Sequence, residues 1–370
     1  MYTWKNKDLK LILDISTYCN AKCPQCSRTD SKSGGLKRED FVPLVHWSLP
    51  EIQLAYPKEQ LKDVFYIQLC PTWGDAMMNP EIYEITKYFL ENMKSGSGFE
   101  IVTNGSMRDE DFWFDFSALG IIAKAKNMRF TVMFDVDGIT QEMHSHYRRN
   151  TNLQKVLNNM KAFSSYPVNI TRTQSVIFKH NQDYTAEIKK LAHEYGSQDH
   201  SFVKSSRFEL DDNGNYMPWE FKNENNETEY YEWADKPFKE PYMSLIQDMN
   251  IIQEKVACKW SINNTLNINF DGQVWPCCYF GSADYSAPST KSKFNSHEII
   301  QEYNLKKLHY NVKFTPLRDI VKSYWYTTSL PTTIDSEPIP QCLRQCSTQV
   351  RPADKLEIRS KKGVGNDTVA

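Results

Sequence analysis

Long apolar runs are missing from this chain. Nothing in its 370 residues approaches the ~18 consecutive apolar positions that a membrane-spanning helix needs. A basic field is missing too. The 44 Lys and Arg stand against 46 Asp and Glu, a net charge of −2, and no block of one sign occurs. That balance argues against nucleic acid as a partner and against a charged binding tail. The first residues, Met1 to Lys7, lack the apolar core of a secretory signal. A cytoplasmic protein is therefore expected, and the cytosol keeps thiols reduced. No internal repeat is visible, and no histidine precedes His46.

What the chain does have is nine cysteines, which in a reducing compartment call for an explanation other than disulfides. Three fall within Cys19-Asn20-Ala21-Lys22-Cys23-Pro24-Gln25-Cys26, spaced C-x3-C-x2-C after the strand-like Leu9–Ile15. Three thiolates can hold three irons of a 4Fe–4S cluster, which normally takes four. The iron left without a protein ligand is an open position, as in catalytic rather than structural metal sites. A zinc knuckle short of a ligand, or three unrelated thiols, are the bland alternatives. Zinc pairs usually read C-x2-C with a second pair or histidines nearby.

Strand-like and helix-like segments alternate from residue 8 to about 205. The strand candidates are Leu9–Ile15, Val64–Leu69, Phe99–Thr103, Arg129–Asp135, Asn169–Phe178 and His200–Lys204. Asn79, Pro80 and Glu81 read as a helix start. Leu153, Val156, Leu157, Met160 and Phe163 share one helical face. Tyr184, Ile188, Leu191 and Tyr195 form another, stopped by Gly196. Six β/α units imply a parallel sheet with right-handed crossovers, short of the eight that close a full barrel. Functional groups are then expected at strand C-terminal ends.

The cysteine motif, directly after a first strand, resembles that of the radical S-adenosylmethionine (SAM) superfamily. The resemblance covers roughly residues 8–207 and 258–346. It implies an α/β fold, a partial (β/α)6 TIM-like barrel, with a smaller cysteine-rich domain after it. It also implies a 4Fe–4S cluster on Cys19, Cys23 and Cys26 that binds SAM and cleaves it reductively. The resulting 5′-deoxyadenosyl radical abstracts a substrate hydrogen. Trp73-Gly74-Asp75-Ala76 stands where the family has Gly-Gly-Glu-Pro, so Gly74 and Asp75 are expected near the SAM amino group. The departures are Trp73 for Gly and Ala76 for Pro. Thr103-Asn104-Gly105 matches a common stretch below the SAM site. Asp135, at the end of strand four, is followed by Asp137-Gly138, His144 and Tyr147-Arg148-Arg149, a pattern of the peptide-modifying branch. Arg148 is expected on the SAM carboxylate, with Arg149 as fallback, and Gln174 near the ribose. An electron donor such as a flavodoxin or ferredoxin is implied as partner.

Farther on, Cys258, Gly272 and Cys277 are spaced C-x13-G-x4-C, the last part following a half-buried strand, Leu266–Phe270, and an Asp271-Gly272 hairpin turn. This resembles the opening of the SPASM and twitch extensions, which hold auxiliary 4Fe–4S clusters. Cys342 and Cys346 can complete four ligands with Cys258 and Cys277. Five cysteines are too few for two clusters, so one auxiliary cluster is expected; a four-cysteine zinc site is the alternative. Cys70 and Cys278 are left as buried thiols. The expected division is a barrel over 1–207, an irregular bridge over 208–257, the cysteine-rich domain over 258–350 and a disordered tail over 351–370. The extension implies a peptide or protein substrate, with a small molecule as runner-up. A non-catalytic iron–sulfur or zinc-binding interaction module is the reading of another class. Such a module gains nothing from an open ligand position.

Overall fold

The computed structural model describes residues 2–26, 28, 42–70, 72–205, 207–208, 211, 213, 215–223, 225–236, 256–281, 285, 297–339, 342–343 and 346. The expected tail, 351–370, and much of the expected bridge lie outside the described residues.

Six parallel strands carry the first half of the chain: β1 (Leu9–Leu13), β2 (Val64–Leu69), β3 (Gly98–Thr103), β4 (Arg129–Asp135), β5 (Ile170–Ile177) and β6 (Asp199–Lys204). Each lies within two residues of the segment expected from sequence at either end. Along β1, Leu9, Leu11 and Leu13 are buried while Lys10 and Ile12 stay partly accessible. The same alternation runs along β5, where Arg172, Gln174 and Val176 keep access to solvent and Thr171, Thr173, Ser175 and Ile177 do not. One face of the sheet packs on helices. The other lines the inside of a partial barrel.

The helix layer follows the expected pattern with two local shifts. The helix Leu153–Phe163 buries Leu153, Val156, Leu157, Met160 and Phe163, and Asn152 caps it by accepting from Lys155 N at 2.8 Å. Phe163 meets Phe130 of β4 edge to face at 5.4 Å. In the helix Thr185–Glu194 the buried residues are Ile188 and Ala192. Tyr184 precedes that helix and is 40 % exposed. Gly196 ends it at φ +101°, a conformation that favours glycine. Asn79 does not begin its helix, which starts at Ile82 after a 3-10 turn at Ala76–Met78. Its side chain is drawn instead to Ile15 O (3.1 Å) and Trp47 O (2.8 Å), while its Oδ1 accepts from Glu81 N. Two buried carbonyls that need donors outweigh a regular cap.

Residues far along the chain complete the same sheet. Strand β9 (Thr265–Ile268) pairs in parallel with β1, in register Lys10↔Thr265 to Leu13↔Ile268, and antiparallel with β10 (Val274–Trp275). The full order is β10-β9-β1-β2-β3-β4-β5-β6, and a separate two-stranded ribbon joins β7 (Trp219–Lys222) to β8 (Thr228–Tyr231). The hairpin turn at Asp271-Gly272 forms as expected, with Gly272 at φ +89°. The half-buried strand does not: Asn267 and Asn269 are as buried as Leu266 and Ile268. An interior strand, flanked by β1 and β10 and covered on both faces, has no wet side. Tyr303 and Tyr326 donate from their hydroxyls to Val274 O at 2.7 and 2.8 Å and hold β10 in place. No helix among the described residues is long and apolar enough to cross a membrane.

Because β9 is core rather than appendage, Leu266→Ala is expected to lower unfolding free energy by about 2–5 kcal/mol, as buried Leu truncations do. Urea denaturation measures this. A cost below about 0.5 kcal/mol, the range of surface changes, would mean that β9 is not part of the cooperative core.

Candidate active site

The loop that carries Cys19, Cys23 and Cys26 leaves the C-terminal end of β1 and is tied down at each step. Thr17 N donates to Val45 O (3.0 Å), and its hydroxyl exchanges bonds with Pro43 O and Val45 N. Tyr18 stacks on His46 with centroids 4.2 Å apart. Lys22 N donates to Arg149 O (3.0 Å), and Asn150 Nδ2 to Asn20 O (2.7 Å). Arg207 donates to Gln25 O. Cys26 N closes a turn on Cys23 O.

Gly74, in the loop after β2, lies against this segment. A Cβ there would sit 2.1 Å from Ser16 O and 2.6 Å from the Thr17 backbone, so only glycine allows the two loops to touch. Next to it, the Asp75 carboxylate is 1 % exposed. It accepts from Met77 N (3.0 Å), Thr103 Oγ1 (2.8 Å), Asn104 N (2.8 Å) and Asn104 Nδ2 (2.8 Å), while Asp75 N donates to Tyr18 O (2.7 Å). Burial raises the Asp75 pKa, and these donors with Arg28 oppose the rise. Asn104 reaches on to the cysteine loop, with Nδ2 2.9 Å from Asn20 Oδ1 and 3.6 Å from Cys19 Sγ. Trp73, where the resemblance has glycine, is buried with Phe270 and Tyr285.

Arg148 is pinned from two sides. Its Nη1 pairs with Asp135 Oδ2 at 2.9 Å and its Nε with Asp137 Oδ2 at 2.6 Å. Nη1 also lies 4.0 Å from Cys23 Sγ. Burial pushes both carboxyls up and Arg148 opposes it. Gln174 stands opposite Asp135 in the β4–β5 register, on the accessible face. Arg149 turns away, to Glu229. His144 is structural: Nδ1 accepts from Asp137 N (3.2 Å), Nε2 meets Thr151 Oγ1 (3.0 Å), and its surface is fully buried. Asp137 and Arg28 belong to this site; the sequence named Asp137 only as part of the Asp-Gly pattern and did not name Arg28. The Asp-Val-Asp at the end of β4 was the available signal for Asp137. Arg28 offered none beyond its place two residues after Cys26.

All nine cysteines are free thiols. Burial pushes Cys19 up to about 11 and Cys23 up to about 12. Such thiols become ligands by giving up protons to a metal. Among the described residues no three Cys, His, Asp or Glu side chains close on a single-ion position; a 4Fe–4S cluster takes one thiolate per iron and does not ask for that. The structure places Cys258, Cys277, Cys342 and Cys346 on the wall of one cavity, among apolar side chains that include Trp4, Trp260 and Ile334. Cys70 and Cys278 are not on that wall; the Cys70 thiol accepts from the Thr72 hydroxyl at 3.7 Å.

The model of the radical SAM superfamily matches residues 13–192, from the end of β1 to the helix before β6. The chain carries a radical SAM domain. It is an enzyme domain, and its family implies a 4Fe–4S cluster and SAM. The donor chemistry fits both. Three thiols share one loop at a strand end, beside loops rich in polar groups. SuiB of Streptococcus suis is similar in fold, at TM-score 0.52 and 14 % identity over 93 % of this chain and 73 % of SuiB. Its structure with precursor peptide SuiA matches at TM-score 0.53 and 13 % identity, over 94 % and 72 %. Native anSMEcpe with bound AdoMet matches at 0.50 and 14 %, over 95 % and 92 %. No curated protein matches the chain.

Burial, then the Arg148 charge, pushes the His144 imidazole of this domain down to about 3 from an ordinary 6.5. A folded value below the unfolded one means stability that is present above pH 6.5 and drains away as pH falls towards 3. His144→Asn has no such proton to bind. The stability gap between wild type and this variant should therefore shrink as pH falls through that window, in urea melts. A constant gap would show the imidazole titrating normally in the fold.

Proposed function

We propose that this enzyme holds a 4Fe–4S cluster on Cys19, Cys23 and Cys26, binds SAM at its open iron, and acts on a peptide or protein. The observation that carries the reading is the three-thiol loop at the end of β1, braced by Asp75 and Asn104 and matched by the family model. When bound, the cluster and SAM supply one-electron chemistry that ends in hydrogen abstraction from the substrate. The chain's own groups bind and orient. Gly74 lets the β2 loop approach, and its backbone with Asp75 would hold the SAM ammonium. Thr103 and Asn104 brace that loop from below. Arg148 keeps Nη2 free of any partner among the described residues once Nε and Nη1 are taken, which suits a planar carboxylate. Gln174 lies on the accessible face where the nucleoside would run, with the buried Asp135 beside it in register. A flavodoxin or ferredoxin is the electron donor in this reading.

A second, closed 4Fe–4S cluster on Cys258, Cys277, Cys342 and Cys346 is the reading of the C-terminal cavity, in the manner of a SPASM or twitch extension. Four soft thiolates on one apolar wall support it. The peptide substrate rests on the fold shared with SuiB, which was solved with its precursor peptide. A cytoplasmic location follows from the need for reduced thiols.

Two measurements test this. Cys23→Ala removes one of three protein ligands, and anaerobic reduced protein should then form no 5′-deoxyadenosine from SAM while its thermal melt persists; wild-type yields would sink the assignment. Reconstituted wild type should carry about eight irons and a Cys342→Ala/Cys346→Ala double variant about four, at four irons per cluster. Stoichiometric zinc in wild type that disappears in the double variant would refute the auxiliary cluster.

A further inference from the structure

Two arginines are buried at the cysteine loop, and their surroundings differ. Arg148 is held by two carboxylates. Arg28, only 4 % exposed, has no carboxylate partner among the described residues. Its Nη2 donates to Thr17 O at 3.2 Å, and its Nε has no partner at all. Thr17 lies two positions before Cys19, and Arg28 two after Cys26. This bond links the two ends of the segment that carries the three thiols. A buried cation that no carboxylate of the described residues bonds is costly, and removing water from around it makes the cost larger. Arg28 is such a cation, beside the loop where three thiolates and a reducible cluster would bring negative charge.

Resting on the radical SAM reading, we infer that Arg28 is a positioning residue whose fixed positive charge balances the thiolate-held cluster and favours its reduced state. The cluster gains one electron from the external donor, and its net charge falls by one. Arg28 exchanges neither electron nor proton; it lowers the electrostatic cost of that added charge. Net charge and hydrogen bonds near a cluster are the protein's means of setting its reduction potential. The field of Arg28 reaches the ends of β1 and β2 as well, where it opposes the effect of burial at Asp14 and Asp75. Arg148 cannot serve equally, because Asp135 and Asp137 outweigh its charge.

The test is a redox titration of reconstituted full-length protein without SAM, followed by electron paramagnetic resonance, on wild type, R28Q and R28K. Iron content and SAM affinity are measured on the same samples. R28Q should keep its iron and shift to a more negative midpoint potential, and R28K should stay close to wild type. An unchanged R28Q potential overturns the inference, and weaker SAM binding alongside it would assign the charge to the SAM carboxylate instead. An equal shift in R28K overturns it too, because shape rather than charge would then matter. If R28Q cannot hold iron, Arg28→Leu and R28K decide: loss in both neutral variants with retention in R28K supports a charge requirement, and loss in all three refutes it. Failure of the underlying reading shows separately, as wild type that takes up no iron or forms no 5′-deoxyadenosine.

Discussion

A single buried carboxylate ties together three loops that the sequence keeps far apart. Asp75 takes donors from its own turn, from the Thr103 hydroxyl and from both nitrogens of Asn104, and its amide reaches Tyr18. Asn104 then holds Asn20 and approaches the Cys19 thiol. Each of these groups would be an unsatisfied polar atom in the interior without the others, so the ends of β1, β2 and β3 settle together or not at all. Gly74 is the steric condition for this. Any side chain there would push the β2 loop off the Ser16–Thr17 backbone and break the bond to Tyr18.

Beside this hydrogen-bonded network stands one of ion pairs. Arg148 joins the two aspartates at the end of β4 to the neighbourhood of Cys23, and Asp137 ties it to β5 through Val176 N at 2.7 Å. The cysteine loop is thus flanked by hydrogen bonds on one side and ion pairs on the other.

Local signals made much of this legible. Short apolar runs rich in Val, Ile and Phe located the six parallel strands, and the thiol spacing located the loop, since both depend on neighbours in the sequence. The rest required partners from elsewhere. The Leu266–Phe270 stretch reads as half-buried because Asn267 and Asn269 are polar, and only its place between β1 and β10 buries them; Asn267 Nδ2 bonds Asn269 Oδ1, and Asn269 Nδ2 bonds Gly281 O. His144 alone reads more often as scaffold than as an active-site group, and the partners of both its nitrogens show it in that place. Tyr184 fits a helical face, but the helix begins after it. Arg28 looks like any charged loop residue until its burial is seen.

The pairing of β1 with β9 also bears on how the chain is made. Trp4 and Thr265, bonded through the indole nitrogen, are 261 positions apart. At ribosomal speeds of about 5–20 residues per second, β1 emerges on the order of ten seconds or more before its neighbour exists. Such a non-local parallel contact is intrinsically slow to form even once both strands are available. Throughout that interval β1 presents an unpaired edge carrying Leu9, Leu11 and Leu13. A lysine within that strand, Lys10, disfavours pairing with another nascent chain while the edge waits.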